Sequence, residues 1–208
     1  LVVKPAAEKL ITWSGIKAFG LLHLADFPPI AGFALGFLLM DLSFYYWHRI
    51  NHLAPVLWRF HGVHHVDLDL DVTTSFRFHP AEVFYSAVFR ALQVVLIGVT
   101  PALYVVYEFC FTCATIFHHS NLRLPVALER VLNLVFITPR VHGIHHSSIE
   151  AQSKSNCSSI FIWWDRIHLT ALLDIRQSDL VIGVSGYLKP EVNRLINLMI
   201  MPFLRQPD

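Results

Sequence analysis

The sequence predicts an all-α, integral-membrane helical bundle with a cytosolic helical cap that carries a histidine-rich site for two metal ions. Three observations point there. Hydrophobic residues make up 54% of the 208-residue chain and charged residues only 15%, at a mean hydropathy of +0.50. Ordinary soluble domains carry about 25% charged residues, so this surface cannot be fully hydrated. Two stretches are long and apolar enough for lipid, and most of the thirteen histidines gather in tight clusters beside them. The length and the absence of a composition break fit one domain, residues 1–208.

Residues 10–25 are apolar but contain Lys17 and His23, which suits a truncated span or an interfacial helix. Residues 27–47, interrupted only by Asp41, form the first span, since a helical crossing takes about 20 residues. Residues 83–117 carry only Arg90 and Glu108 and are too long for one span. Gly98-Val99-Thr100-Pro101 supplies turn chemistry midway. Residues 80–99 and 101–119 therefore form an antiparallel helical hairpin. Arg90 and Glu108 lie at nearly equal distances from the turn, hence at equal depth. An unpaired charge in hydrocarbon costs at least about 2.5–3.5 kcal/mol, so the two are expected to face each other and lock the hairpin register.

Topology follows. With residues 27–47 running toward the cytosol, His48 to His79 lie there. The hairpin leaves and returns, placing His118, His119 and residues 121–174 on the same face. Arg49, Arg59, Arg77, Arg123, Arg130, Arg140, Lys154 and Arg166 share that face, whereas the Gly98–Pro101 turn has no charge. This is the positive-inside pattern. Residues 192–204 are short and contain Arg194, which suits an interfacial segment.

Several classes are disfavoured. A net charge of +1 gives no reason to expect nucleic acid. Three cysteines make no closed disulfide framework, and Cys110 and Cys113 lie inside an apolar run with no second pair. Because the sequence starts at Leu1 and not Met, signal peptides and targeting are not judged from it.

The clusters are His48-x3-His52, His61-x2-His64-His65, His118-His119 and His142-x2-His145-His146, with His79 alone before Pro80. Residues three and four apart share a helix face, so each cluster can turn imidazoles toward one point. Neutral imidazole binds iron, zinc and copper. One ion needs three or four ligands, so eight or more histidines imply two ions. The soluble di-iron device Glu-x-x-His and the zinc-protease device His-Glu-x-x-His are both absent. Nitrogen-only sites beside lipid-facing helices fit a di-iron centre that activates O2. Asp41, seven residues before His48 and on its helix face, suits a carboxylate that fixes a ligand's tautomer, or an interhelical hydrogen bond. Asp67, Asp69 and Asp71 suggest a solvated loop.

The chain resembles the fatty acid hydroxylase/sterol desaturase superfamily over roughly residues 41–169. The resemblance rests on Asp41-Leu-Ser-Phe-Tyr-Tyr-Trp-His48-Arg49-x2-His52, Trp58-x2-His61-x2-His64-His65, Arg77-Phe-His79-Pro80-x-Glu82, Phe117-x-His119-Ser-Asn121, Thr138-Pro-Arg140-x-His142-x2-His145-His146-Ser147 and Trp164-Asp165-Arg166. It implies two irons held by His48, His52, His61, His64, His65, His142, His145 and His146, with zinc a substitute in preparations. His119 and His79 lie in further family-like stretches; His119 joins as a ligand, His79 as a ligand or as a residue that supports one or caps a helix, and Asn121 is a direct or water-mediated ligand. His118 and His168 fall outside the set, and Cys157 stands where an aromatic is expected. The implied activity is O2-dependent hydroxylation of a fatty acyl or sterol-like lipid, with electrons from a separate protein. Desaturation is the alternative within the family, and non-catalytic metal binding the alternative outside it.

Overall fold

The computed structural model describes residues 3–206, and among them the chain is helical throughout, with only two isolated β-bridges. In order the helices are α1 (Val3–Ile16), α2 (Pro29–Leu53), α3 (Pro55–His65), α4 (Pro80–Ile97), α5 (Pro101–His119), α6 (Val126–Leu132), α7 (Pro139–His145), α8 (Glu150–Ser153), α9 (Trp163–Ile167) and α10 (Leu195–Ile200). Five of them, α2, α3, α4, α5 and α7, begin on proline. Its fixed φ and missing N–H suit the first helical position.

Proline also cuts the chain into the right lengths. Ala54 precedes Pro55, and a residue before proline is driven out of the helical region; Ala54 is extended at φ −88°, ψ 114°. One residue thus ends α2 and redirects the chain into α3, folding the last turns of α2 against it. At the other end of the bundle, Gly98 closes α4 in the left-handed conformation (φ +78°), and the Thr100 hydroxyl caps α5 by accepting the Leu103 N–H. The hairpin turn falls where the sequence placed it.

Helices α1, α2, α4 and α5 share one hydrophobic core, built around Met40, Val94, Leu103 and Tyr107. The apolar segment 10–25 divides between the end of α1, which packs on α4 and α5, and a short 3-10 turn at Leu21–His23. Two helices, Pro29–Leu53 and Pro80–Ile97, are long and apolar enough to cross a membrane. Only 22% and 28% of their apolar windows are buried, unlike the core helices of a soluble protein. The remaining apolar surface faces outward.

The charges in the hairpin meet as expected. Arg90 Nε lies 3.1 Å from the Glu108 carboxylate. The guanidinium also donates to Gln93 and sits 5.3–5.4 Å from the ring centres of Phe44, Tyr107 and Phe111. Gln93 in turn donates to the Met40 carbonyl and the Ser43 hydroxyl, at 2.7 Å each. The resulting chain of contacts ties α2, α4 and α5 at one level.

Beyond the bundle, α3, α6–α9 and the intervening loops form a cap over one end. Asp67 is a correction: it is buried, holding Thr74 at 2.7 Å and Arg77 at 3.3 Å, while of the three only Asp69 is exposed. The last segment lays Leu198 and Met201 on Val63 of α3 and Val66 just past it, and leaves Leu195, Ile196 and Phe203 exposed.

Candidate metal centre

Histidines from four elements converge where the bundle meets the cap. His48 and His52 lie on the last two turns of α2, His61, His64 and His65 on α3, His118 and His119 at the end of α5, and His142, His145 and His146 on and just after α7. Nine of the ten histidines expected as ligands fall into two buried groups. One holds His48, His52, His61, His65 and His145, the other His64, His119, His142 and His146. Within each group the candidate ligand atoms lie within 4.8 Å of one another.

The two H-x2-H-H boxes interlock crosswise. His61 and His65 enter the first group and their neighbour His64 the second, whereas His142 and His146 enter the second and His145 the first. Helix geometry explains this. At about 100° per residue, positions i and i+4 lie about 40° apart, while i+3 lies about 60° to the other side of i. Each box therefore serves two points in space.

The protonation pattern decides what those points hold. His48 Nδ1 donates to the Cys157 carbonyl and His145 Nδ1 to the Ser155 carbonyl, both at 2.8 Å. A carbonyl only accepts, so in the neutral rings both Nε2 atoms carry lone pairs, yet they lie 3.1 Å apart. His64 and His119 repeat the arrangement. Their Nδ1 atoms donate to the carbonyls of Arg77 and Thr115, and their Nε2 atoms face each other at 3.2 Å. Two lone pairs cannot hydrogen-bond each other. Metal–imidazole bonds of about 2.0–2.1 Å at ordinary coordination angles set neighbouring nitrogens about 2.9–3.4 Å apart, which matches. His52 and His65 make no hydrogen bond at either ring nitrogen, nor does His61 Nε2. So many orphaned buried nitrogens fit a bound cation. Burial holds His64, His65, His142 and His146 well below the usual imidazole range and pushes His145 down to about 3, so the rings stay neutral.

Three polar groups weighed for the site are engaged away from the two histidine groups or lie exposed. Asp41 touches no histidine; its carboxylate accepts from Trp164 Nε1 at 2.7 Å and the Phe161 N–H at 3.2 Å, clamping α2 to the cap. His79 stands outside both groups, with both nitrogens in use. Its Nδ1 caps α4 by accepting the Ala81 N–H at 3.1 Å, and Nε2 donates to the Met199 carbonyl at 3.3 Å. Asn121 is exposed, two residues past His119, which ends α5. The carboxylate that does orient a histidine is Glu82, which takes the His61 Nδ1–H at 2.7 Å. Its signal was the Phe-His-Pro-x-Glu run, where Pro80 starts α4 and sets Glu82 in the first turn, over His61.

His118 was set aside by the sequence, yet it is buried with its ring centre 4.0 Å from that of His142. Its Nδ1 donates to the Ser159 carbonyl at 3.1 Å, leaving Nε2 without a hydrogen bond. Ser155, Cys157 and Ser159 thus offer alternate carbonyls of one loop to three histidines. Asn156 holds that loop in a left-handed conformation (φ 52°) through bonds to Val141 and Leu172, and Asp165 accepts the N–H groups of Cys157 and Ser158.

Two cavities reach the centre. One of 590 Å³ lies between α2, α4 and α5, is walled by Phe44, Phe89 and Phe111, and ends on His48, His64, His118 and His119. A second of 360 Å³ approaches His52 and His65 from the cap side, past Trp58 and a set of serines. An apolar and a polar approach therefore meet at one cluster.

Comparison with known proteins agrees with this picture. The family model for fatty acid hydroxylase matches residues 33–170. Ornithine lipid hydroxylase of Rhizobium tropici is 28% identical over 77% of the chain, which spans 48% of that protein. Alkylglycerol monooxygenase of Danio rerio is 30% identical over 64% of the chain and 29% of its own length. Human cholesterol 25-hydroxylase is 27% identical over 62% of the chain and 47% of its own length. The chain thus spans half or less of these relatives. No solved structure matches it. The chain belongs to the fatty acid hydroxylase family, and its histidine clusters are those of a metal-binding member.

Proposed function

We propose that this member of the fatty acid hydroxylase family is an integral-membrane oxidoreductase that hydroxylates a C–H bond of a lipid with O2, using two irons held by its histidines. The observation that carries the reading is the pair of facing, deprotonated Nε2 contacts, His48–His145 and His64–His119, at the inner end of an apolar cavity. The five-histidine and four-histidine groups would hold one iron each, and the whole chain acts as one domain with its core in 41–169. Three relatives that carry out lipid oxidations support the substrate class.

In this reading α2 and the α4–α5 hairpin enter the membrane and the cap faces the cytosol. Helix α2 is 25 residues long, about 38 Å, against a hydrocarbon core of about 30 Å. Its last turns, with His48 and His52, therefore project past the lipid boundary. When bound, iron supplies the one-electron chemistry by which O2 attacks an unactivated C–H bond. The chain's own groups bind and align. Glu82 and the carbonyls of Arg77, Thr115, Ser155 and Cys157 hold Nδ1 protons, so that Nε2 of each ring stays free to ligate. The phenylalanine walls hold the hydrocarbon chain and exclude water. One oxygen atom enters the lipid and the other leaves as water, which takes two electrons and two protons from outside. Residues 1–208 carry no haem, flavin or iron–sulfur motif, so the electrons come from outside them, in this reading from a separate donor protein.

Elemental analysis of the purified protein should find about two metals per chain. Lipid extracts of cells with and without the protein should differ by a hydroxylated product. Full activity from a strictly iron-free preparation, or an alkene as the sole product, would overturn the assignment.

A further inference from the structure

The apolar cavity is not apolar throughout. Away from the histidines it meets Tyr104 and the Arg90–Glu108 pair. Arg90 is 9% exposed and fully engaged with Glu108, Gln93 and three aromatic faces. Glu108 is not. Its side chain is 33% exposed and lines the cavity; Oε1 is buried against Arg90 Nε at 3.1 Å, and Oε2 takes no hydrogen bond from the described residues. A register lock needs only a closed pair. Here an anionic oxygen with spare acceptor capacity opens onto a cavity walled by phenylalanine, and ionisable groups at such a depth mark function more often than structure.

We propose that Glu108 is a recognition residue that accepts a hydrogen bond from the hydroxyl of an extended lipid alcohol, whose hydrocarbon then runs along the cavity to the histidines. The inference rests on the reading of this cavity as the lipid site. A neutral hydroxyl is the group that fits. A carboxylate would meet the charge of Glu108, and an ammonium would compete with Arg90, whereas a hydroxyl donates to the free oxygen and leaves the ion pair closed. The same geometry sets the position of attack. Glu108 and His118 are ten residues apart on α5, about 15 Å at about 1.5 Å per residue. A zigzag chain built from bonds of about 1.5 Å advances about 1.25 Å per carbon, so the oxidised carbon lies about twelve carbons from the hydroxyl.

The test measures binding, not turnover. The purified metal-loaded protein in detergent is titrated with 1-hexadecanol, hexadecane and palmitate, and affinities are taken from the rise in melting temperature. The alcohol should bind about tenfold more tightly than the other two, the size expected of one hydrogen bond to a charged group. Arg90→Met with Glu108→Met should erase that margin while hexadecane binds as before. Glu108→Gln, which keeps an acceptor without the charge, should retain part of it. If the double variant does not fold, the wild-type ranking and Glu108→Gln decide. Equal affinity for alcohol and alkane, tightest binding of palmitate, or a margin that survives both variants overturns the proposal and leaves the lipid site standing. No binding of any probe overturns the lipid site itself.

Discussion

In the hairpin, Arg90 rests against Glu108, Gln93 and three aromatic rings, and each of its partners comes from the same chain. In the centre beneath the cap, His48 faces His145 and His64 faces His119 with lone pair toward lone pair, and the chain supplies nothing to put between them. Both regions bury polar atoms that cost several kcal/mol when left unmatched. The Arg90 guanidinium is fully answered as folded. The centre is complete only with a cation from outside, so polarity that a protein leaves unanswered in its interior locates what it binds.

Removing a histidine breaks that contrast most severely. His145→Ala and His64→Ala should each lower the metal content and bring turnover to background, whereas His23→Ala and His168→Ala should keep most of it. Product mass spectrometry on monodisperse protein checks this, and near-normal turnover by His145→Ala would remove the proposed centre.

Acid should distinguish the two regions next. The buried His64, His65, His142, His145 and His146 have folded pKa values below the unfolded value of about 6.5. Above that pH both states are neutral at these rings and nothing is lost. As pH falls below it, the unfolded chain binds protons that the folded chain refuses, and metal-free protein loses about 1.4 kcal/mol per pH unit for each such ring. A melting temperature of metal-free protein that is flat from pH 7 to pH 5 would contradict the neutral cluster.

The hairpin answers to charge pairing instead. Arg90→Leu or Glu108→Leu alone should lower the folded yield, by about 2.5–3.5 kcal/mol if the remaining charge stays unpaired, and the double change should largely restore it. Strictly additive losses would leave the pair without a locking role. Glu82→Gln should weaken metal binding by about 10–100-fold while the protein still folds, read by competition with a chelator. Unchanged affinity would make Glu82 a packing residue. Least affected is His79→Ala, which should cost about 1 kcal/mol of stability as a lost helix cap and leave the metal content intact. A drop in metal would return His79 to the site.

The parts of this arrangement that were legible in the sequence are those written locally. Helical spacing inside each box, the Gly98–Pro101 turn and the equal depth of Arg90 and Glu108 depend on a few neighbouring residues, and the structure keeps all three. The parts that were not legible depend on which remote element lies opposite. Asp41 shares a face with His48, but seven residues on a helix are about 10.5 Å, beyond any hydrogen bond, and its partners arrive from residues 161 and 164. His79 was claimed by the proline that follows it, because a residue held extended before Pro80 is also placed to cap the helix that Pro80 begins. Glu82 became visible only once α3 and α4 were side by side.

The loop that carries Ser155, Cys157 and Ser159 grips three histidines by carbonyl oxygens and by no side chain. Its grip depends on their spacing. The side chains at 155, 157 and 159 pack inside, and Asn156 between them fixes the turn of the loop through its amide, so the rings answer to the path of the backbone. A single inserted or deleted residue would turn every second carbonyl away at once, so over evolutionary time this stretch should stay fixed in length.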